Sequence, residues 1–363
     1  MVKKNIFKGK KVIVTGHTGF KGSWLSLWLN LLGAKVIGIS NNIPTNPSHF
    51  EAIKLKNKII HRRIDVRDLK LLKKTIKKFK PDYVFHLAAQ SLVKKSYLNP
   101  VYTWQTNTFG TLNILESLRD LNKKCTVVLI TSDKSYKNLE ISRGYKEDDI
   151  LGGKDPYSAS KASAELVIQS YISSFFPKEK TKISIAVARA GNVIGGGDWS
   201  EDRLIPDCVK SWSRNKKVVI RNPKSTRPWQ HVLEAVNGYL FLASNLKINK
   251  SLHGEVFNFG PNNASNYSVY YLVNVMKKYW SKVSWKIVSK KNKNFYESSL
   301  LKLNCNKAKA HLKWKSILNI NETINMVISW YKYYYSNKIN MYKMSCDQIK
   351  KYEKLLNVRK IKK

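Results

Sequence analysis

Short apolar runs alternate with stretches of helical spacing along the first half of the chain. Residues 11–15, 34–39, 58–64, 81–89, 125–130 and 183–188 read as strands, each apolar and bounded by polar or turn-forming residues. Between them, 24–32, the stretch from Leu69, 103–121 and 158–175 carry helical patterns. This alternation predicts an α/β fold, a doubly wound parallel sheet covered by helices on both faces. Beyond residue 190 the pattern loosens into Arg203-Leu-Ile-Pro-Asp207, Val218-Val-Ile-Arg221, Arg227-Pro-Trp-Gln-His231 and Asn258-Phe-Gly-Pro261. These pieces are expected to build a smaller C-terminal substrate-binding lobe. The predicted division is 1–190 for the sheet domain, with a segment near 230–258 returning to it, and 191–335 for the lobe. The last stretch, 336–363, rich in Lys, Tyr and Asn, is expected to be a basic, partly disordered tail.

The first strand runs directly into Gly16-His-Thr-Gly19-Phe-Lys-Gly22, and an apolar helix follows. A strand, a glycine turn and a helix are the context a dinucleotide-binding motif requires, so the sheet is read as Rossmann-type. The glycines allow a tight turn and close backbone approach to a pyrophosphate at the helix N-terminus. The second strand ends in Ser40-Asn41-Asn42, where an acidic residue normally grips the adenosine ribose. Asp65-Val66 has two readings, a contact to the adenine edge or a turn in which Asp65 caps the next helix. Ala88 and Ala89 are small enough for a cofactor to lie against backbone, and His86, inside an apolar run, reads as a core histidine.

Thr131-Ser-Asp-Lys134 follows the apolar run 125–130, and Tyr157-Ser-Ala-Ser-Lys161 opens a helix after Asp155-Pro156. Tyr and Lys four positions apart share a helix face, which lets an ammonium approach a phenol and favour phenolate. A hydroxyl such as Ser132 can hold the same substrate oxygen. Together they suit removal of a sugar hydroxyl proton while hydride leaves the carbon.

Composition narrows the setting. The chain of 363 residues is 43% hydrophobic and 11% aromatic, enough for one large domain or two smaller ones. No run reaches the roughly 18 apolar residues of a membrane span, and the N-terminus lacks a signal-peptide pattern, which together predict a cytoplasmic protein without membrane association. Cys125, Cys208, Cys305 and Cys346 are scattered, so reduced thiols and no metal site are expected. The net charge of +42, from 66 basic and 24 acidic residues, would attract polyanions. Its lysines are spread along the whole chain without a nucleic-acid module, which reads as compositional bias rather than specific nucleic-acid binding.

The order of these motifs resembles the extended short-chain dehydrogenase/reductase family. Closer still, Thr15-Gly-His-Thr-Gly-Phe-Lys-Gly-Ser-Trp24, His86-Leu-Ala-Ala-Gln-Ser91, Thr131-Ser-Asp-Lys134, Asp155-Pro-Tyr-Ser-Ala-Ser-Lys161, Ala190-Gly-Asn-Val-Ile-Gly-Gly-Gly-Asp-Trp199 and Arg227-Pro-Trp-Gln-His231 resemble the CDP-glucose 4,6-dehydratases. The resemblance spans most of 9–335 and departs from the family pattern at Asn42 and Asn304, positions often acidic. It implies NAD as cofactor, CDP-glucose as substrate and a homodimer pairing the helices from Thr103 and Tyr157. Gly16, Thr18, Gly19, Phe20, Gly22, Asp65, Val66, Leu87, Ala88, Ala89, Tyr157 and Lys161 would hold the cofactor. Tyr157 would be the base at the C4 hydroxyl, Lys161 would lower its pKa, and Ser132 would bind the C4 oxygen. Asp133 would protonate the departing C6 hydroxyl. For Lys134 two readings stand, the base at C5 or an exposed lysine paired with a carboxylate. Asn192, Arg203, Arg221 and Arg227 are candidates for the nucleotide end, since an arginine fork suits a diphosphate. The competing readings are another nucleotide-sugar dehydratase, a 4-epimerase, which needs no acid-base pair for C5 and C6, and a non-catalytic binding protein.

Overall fold

The computed structural model describes residues 5–220, 222–261, 267–281, 283–287, 300–336 and 340–361. Seven parallel strands form the central sheet: β1 (Lys11–Thr15), β2 (Lys35–Ser40), β3 (Ile60–Arg63), β4 (Tyr83–His86), β5 (Cys125–Ile130), β6 (Ile183–Ala190) and β7 (Val256–Phe259). Their spatial order is β7-β6-β5-β4-β1-β2-β3. The chain builds outward from β1 in one direction and then in the other, which opens a crevice between β1 and β4 where the order reverses.

Strand pleating divides the buried residues between the two faces. On β1, Val12 and Val14 join one core while Ile13 joins the other. One face carries α1 (Phe20–Leu31) and α6 (Val232–Ile248). The opposite face carries α2 (Leu69–Phe79), α3 (Gly110–Arg119) and α4 (Pro156–Phe175). The helix expected over 103–121 is interrupted. Pro100–Trp104 is α-helical, Gln105–Phe109 is a π-helical turn, and α3 continues from Gly110. Such a turn inserts a residue into the ladder and re-aims the side chains around it.

After Ala190 the chain builds α5 (Leu204–Ser213) and small strand pairs, and α6 and β7 return to the sheet. The helix α7 (Ile320–Ser336) then precedes α8 (Met341–Ile361). The basic tail expected from residue 336 is therefore corrected within the described residues. In α8, Cys346, Ile349, Tyr352 and Leu356 are buried in the same core as Trp24 and Trp28 of α1. Tyr352 donates to buried Glu234 at 2.6 Å, and Trp28 donates to Glu353 at 3.0 Å. Apolar positions at helical spacing, diluted by lysines on the outer face, make this a docked helix rather than a loose segment.

Candidate active site

Loops from β1, β4 and β5 converge at the sheet's C-terminal edge. Gly16 has φ +72°, and a Cβ there would stand 2.7 Å from the Ala88 nitrogen. One at Gly22 would stand 2.1 Å from the Gly16 carbonyl oxygen. Only glycine fits both positions, so α1 starts hard against β1 with its first N–H groups at the crevice. Thr15 Oγ1 accepts from the N–H groups of Leu87 and Ala88, each at 3.2 Å, joining the β1 and β4 loops. It also meets His86 Nδ1 at 2.7 Å, while His86 Nε2 meets Thr111 at 3.2 Å. Burial pushes that imidazole down to about 3, so His86 is a neutral core histidine.

At the adenosine end, Thr18 donates to the Asn42 carbonyl at 2.6 Å, and Asn41 donates to Asp65 at 3.1 Å. The helix α2 is capped by Asp68, which accepts from Leu71 N–H at 2.9 Å. Asp65 instead pairs with Arg67 at 2.8 Å. Burial raises its carboxyl pKa, but hydrogen bonds from Arg67 and Asn41 outweigh that and hold it below the usual range. Val66 is buried beside Gly110, where a Cβ would meet its Cγ2 at 2.8 Å. Gly19, Phe20 and Ala89 complete the glycine turn, the start of α1 and the loop after β4 around this crevice. These residues fit a dinucleotide.

Strand β5 delivers Thr131 and Ser132 and then turns tightly through Asp133–Ser135. Ser132 Oγ accepts from Lys134 N–H at 3.2 Å and donates to Asp133 Oδ1 at 3.0 Å. Asp133 is buried, and its Oδ2 has no hydrogen-bond partner among the described residues. Burial raises its pKa, against the pull of Lys134, Ser132, Lys21 and Arg227. Burial of that kind favours the neutral, proton-bearing form over the carboxylate. Lys134 Nζ stands 6.0 Å from the Tyr157 ring centroid.

Helix α4 places the other half. Asp155 caps it by accepting from Ser158 N–H at 3.0 Å, Pro156 opens it, and Tyr157 N–H donates to Ser96 at 3.2 Å. Burial raises the Tyr157 pKa, while Ser132 and Arg203 pull it down. Lys161, given that task by its helix spacing and by resemblance, is not among the leading influences on it. Its ammonium lies 3.5 Å from the Ile130 carbonyl, and burial and Lys21 push its own pKa down to about 7. Behind this layer Glu165 accepts from Thr131 at 2.7 Å, from Ser135 at 3.0 Å and from Arg189 Nε at 2.8 Å.

Of the nucleotide-end candidates, Arg227 lies within electrostatic reach of Asp133, and Arg203 within reach of Tyr157. Asn192 lends its carbonyl to Gln230 N–H at 3.1 Å. Arg221 lies outside the described residues. The Asn304 side chain accepts from Asn306 N–H at 2.9 Å, two residues before the helix Asn306–Leu312 begins. Three contributors escaped the sequence reading. Lys21, inside the glycine motif, acts electrostatically on both Asp133 and Lys161, and burial pushes it down to about 8. Asn107, a buried amide within a helix, ties the peptide of Gln90 to Ser160. The third is the Glu165–Arg189 pair, whose signal in sequence is only two charges inside otherwise apolar elements.

A profile of the family described as GDP-mannose 4,6 dehydratase matches residues 13–327. The chain belongs to that family. Within this dehydratase family, it is 45% identical over 336 residues to a CDP-glucose 4,6-dehydratase of Salmonella typhimurium, covering 92% of this chain and 93% of the relative. Two solved structures share the fold. An epimerase from Methanothermobacter thermautotrophicus has a TM-score of 0.78 at 23% identity, covering 92% of this chain and 95% of that one. The UDP-glucuronic acid 4-epimerase of Bacillus cereus, solved with UDP-glucuronic acid and NAD, has a TM-score of 0.76 at 22% identity, covering 89% and 99%. The chain is thus of the extended short-chain dehydrogenase/reductase type.

Proposed function

We propose that the chain is a hydro-lyase that converts CDP-glucose to CDP-4-keto-6-deoxyglucose and water. The observation that carries this reading is Asp133, a buried carboxyl beside Ser132 with one oxygen unpartnered among the described residues and a pKa that burial raises. An epimerase has no use for an acid there, whereas loss of the C6 hydroxyl requires one. The choice of CDP-glucose is supported by the 45% identical relative.

The glycine loop, Leu87–Ala89, Tyr157 and Lys161 would hold NAD, which would provide a hydride acceptor for C4 and a hydride donor for C6. Tyr157 takes the proton of the C4 hydroxyl while Ser132 holds the same oxygen. Oxidation makes the C5 hydrogen acidic, and Lys134 is the base that takes this proton and gives it back to C5 when hydride adds at C6. Asp133 gives its proton to the C6 hydroxyl, which leaves as water. Arg203, Arg227 and Asn192 face the nucleotide end, with the arginine forks on the diphosphate. The lobe after residue 190 is the substrate-binding part. Purified protein is incubated with CDP-, dTDP-, UDP- and GDP-hexoses plus NAD. Keto-sugar absorbance in alkali with CDP-glucose supports the reading. Simple epimerisation, or turnover restricted to another nucleotide, overturns it.

Assembly is a homodimer through the helices 100–119 and α4. Val101, Phe109 and Leu166 are 65%, 56% and 57% exposed, an apolar surface that a second copy would cover. A monomer by light scattering at micromolar concentration rejects it. Among the described residues no helix is long and apolar enough to cross a membrane, in keeping with a cytoplasmic place. The charge of +42 gives weak nucleic-acid binding that salt abolishes. Tight, sequence-selective binding near physiological salt would count against that.

A further inference from the structure

The loop between Gly195 and Arg203 is held from behind by α1 and α7. Trp24 of α1 donates to the Gly196 carbonyl at 2.9 Å, and a Cβ at Gly196 would strike the Trp330 ring at 2.1 Å. The Tyr331 hydroxyl of α7 accepts from Asp198 N–H at 3.0 Å and donates to the Asp198 carbonyl. Trp199 packs edge-on to Trp330 and Tyr331, with ring centroids 5.5 and 5.7 Å apart. The Asp198 side chain is thus fixed. It is 4% exposed, its Oδ1 accepts from Ser200 N–H at 3.0 Å and its Oδ2 from Arg203 Nη1 at 3.1 Å. Arg203 stands immediately before α5, and its charge is felt at both Lys21 and Tyr157. On the other flank, Asp202 pairs with Lys94 at 3.3 Å.

We infer that Asp198, locked by Tyr331, is a positioning residue that aims Arg203 at the substrate diphosphate and so sets nucleotide affinity. This rests on the placement of Arg203 proposed above. An arginine side chain loses much rotamer freedom when it is ordered. A buried carboxylate holding one guanidinium nitrogen removes most of that freedom before the ligand arrives. The remaining N–H donors are left for phosphate oxygens. The C-terminal helices thereby act on binding without touching the ligand.

The test is a double-mutant cycle read by calorimetric titration with CDP, which carries the diphosphate but no reacting sugar, alongside steady-state kinetics. Arg203→Ala should weaken CDP binding by at least about tenfold, the scale of a charge-assisted hydrogen bond. Asp198→Asn should weaken it about tenfold and raise KM in step, with kcat within about threefold. The double variant should bind no more weakly than Arg203→Ala alone, because Asp198 acts through that arginine. Tyr331→Phe, which loses only the hydroxyl, should weaken binding about threefold and carries the test if Asp198→Asn does not fold. Wild-type affinity in Asp198→Asn, or in Tyr331→Phe where that variant stands in, overturns the inference. So does an effect of Asp198→Asn that adds fully to Arg203→Ala. Wild-type affinity in Arg203→Ala removes the placement of Arg203 and the inference with it. If the wild-type chain ignores CDP but binds UDP, dTDP or GDP, the nucleotide choice fails instead, and the cycle is run with that ligand.

Discussion

The Ser132 hydroxyl donates to one oxygen of the Asp133 carboxyl at 3.0 Å, while the other oxygen, buried, has no hydrogen-bond partner among the described residues. In the proposed reaction the group that binds the C4 oxygen thus also orients the acid for C6. Asp133→Asn preserves shape but cannot supply a proton. Turnover should fall on the order of 10²–10⁴-fold. Oxidation at C4 should survive, so single-turnover absorbance should show NADH accumulating. Normal turnover in this variant would return the chain to the epimerase reading.

Lys161 is held at about 7, far below its ordinary 10.5, chiefly by burial. Between those values the unfolded chain binds a proton that the folded chain does not, so stability rises with pH across that window. Below pH 7 the full penalty of the buried charge is present. Lys161→Met should therefore abolish turnover yet melt a few degrees higher than wild type at pH 6, with the advantage gone near pH 10.5. A melting temperature lowered equally at both values would show that packing, not charge, dominates there.

His17, His49, His86 and His231 are buried, and burial pushes them from an ordinary 6.5 to about 4, 3, 3 and 3. As pH falls below 6.5, the unfolded chain takes up protons that the folded chain refuses. Stability should drop steeply between about pH 6.5 and 4, largely before ordinary carboxylates titrate. Urea midpoints measured from pH 7.5 to 4.5 should show this slope, and His49→Gln should flatten it. A midpoint unchanged down to pH 5 would be the contrary result.

Glu165 lies behind the catalytic turn, bonded to Thr131, Ser135 and the buried Arg189. Glu165→Gln leaves that guanidinium uncompensated, which typically costs about 3–5 kcal/mol. Chemical denaturation should register the loss. Because Thr131 and Ser135 flank Ser132 and Asp133, kcat should fall as well, with KM for the nucleotide sugar little changed. Full stability at neutral pH would mean that water or another group balances Arg189.

Much of this was legible in the chain itself. The strand periods, the glycine turn and the Tyr157–Lys161 spacing depend on local backbone geometry, which a few neighbouring residues dictate. The π-helical turn at Gln105–Phe109 was hidden because it is selected by what Asn107 reaches, Gln90 and Ser160, rather than by local pattern. The basic tail misled for a similar reason. Tyr352 and Leu356 look like scattered apolar residues among lysines until α1 and Glu234 are there to receive them.

By itself, then, the sequence determined the alternating architecture, the glycine turn for the dinucleotide and the candidates for the catalytic side chains. Only the tertiary structure decided their proton affinities and their aim. The direction in which Asp133 shifts, how far Lys161 is depressed and what holds Arg203 depend on burial and on partners brought together from distant elements. Desolvation and Coulomb interactions act through space, not along the chain.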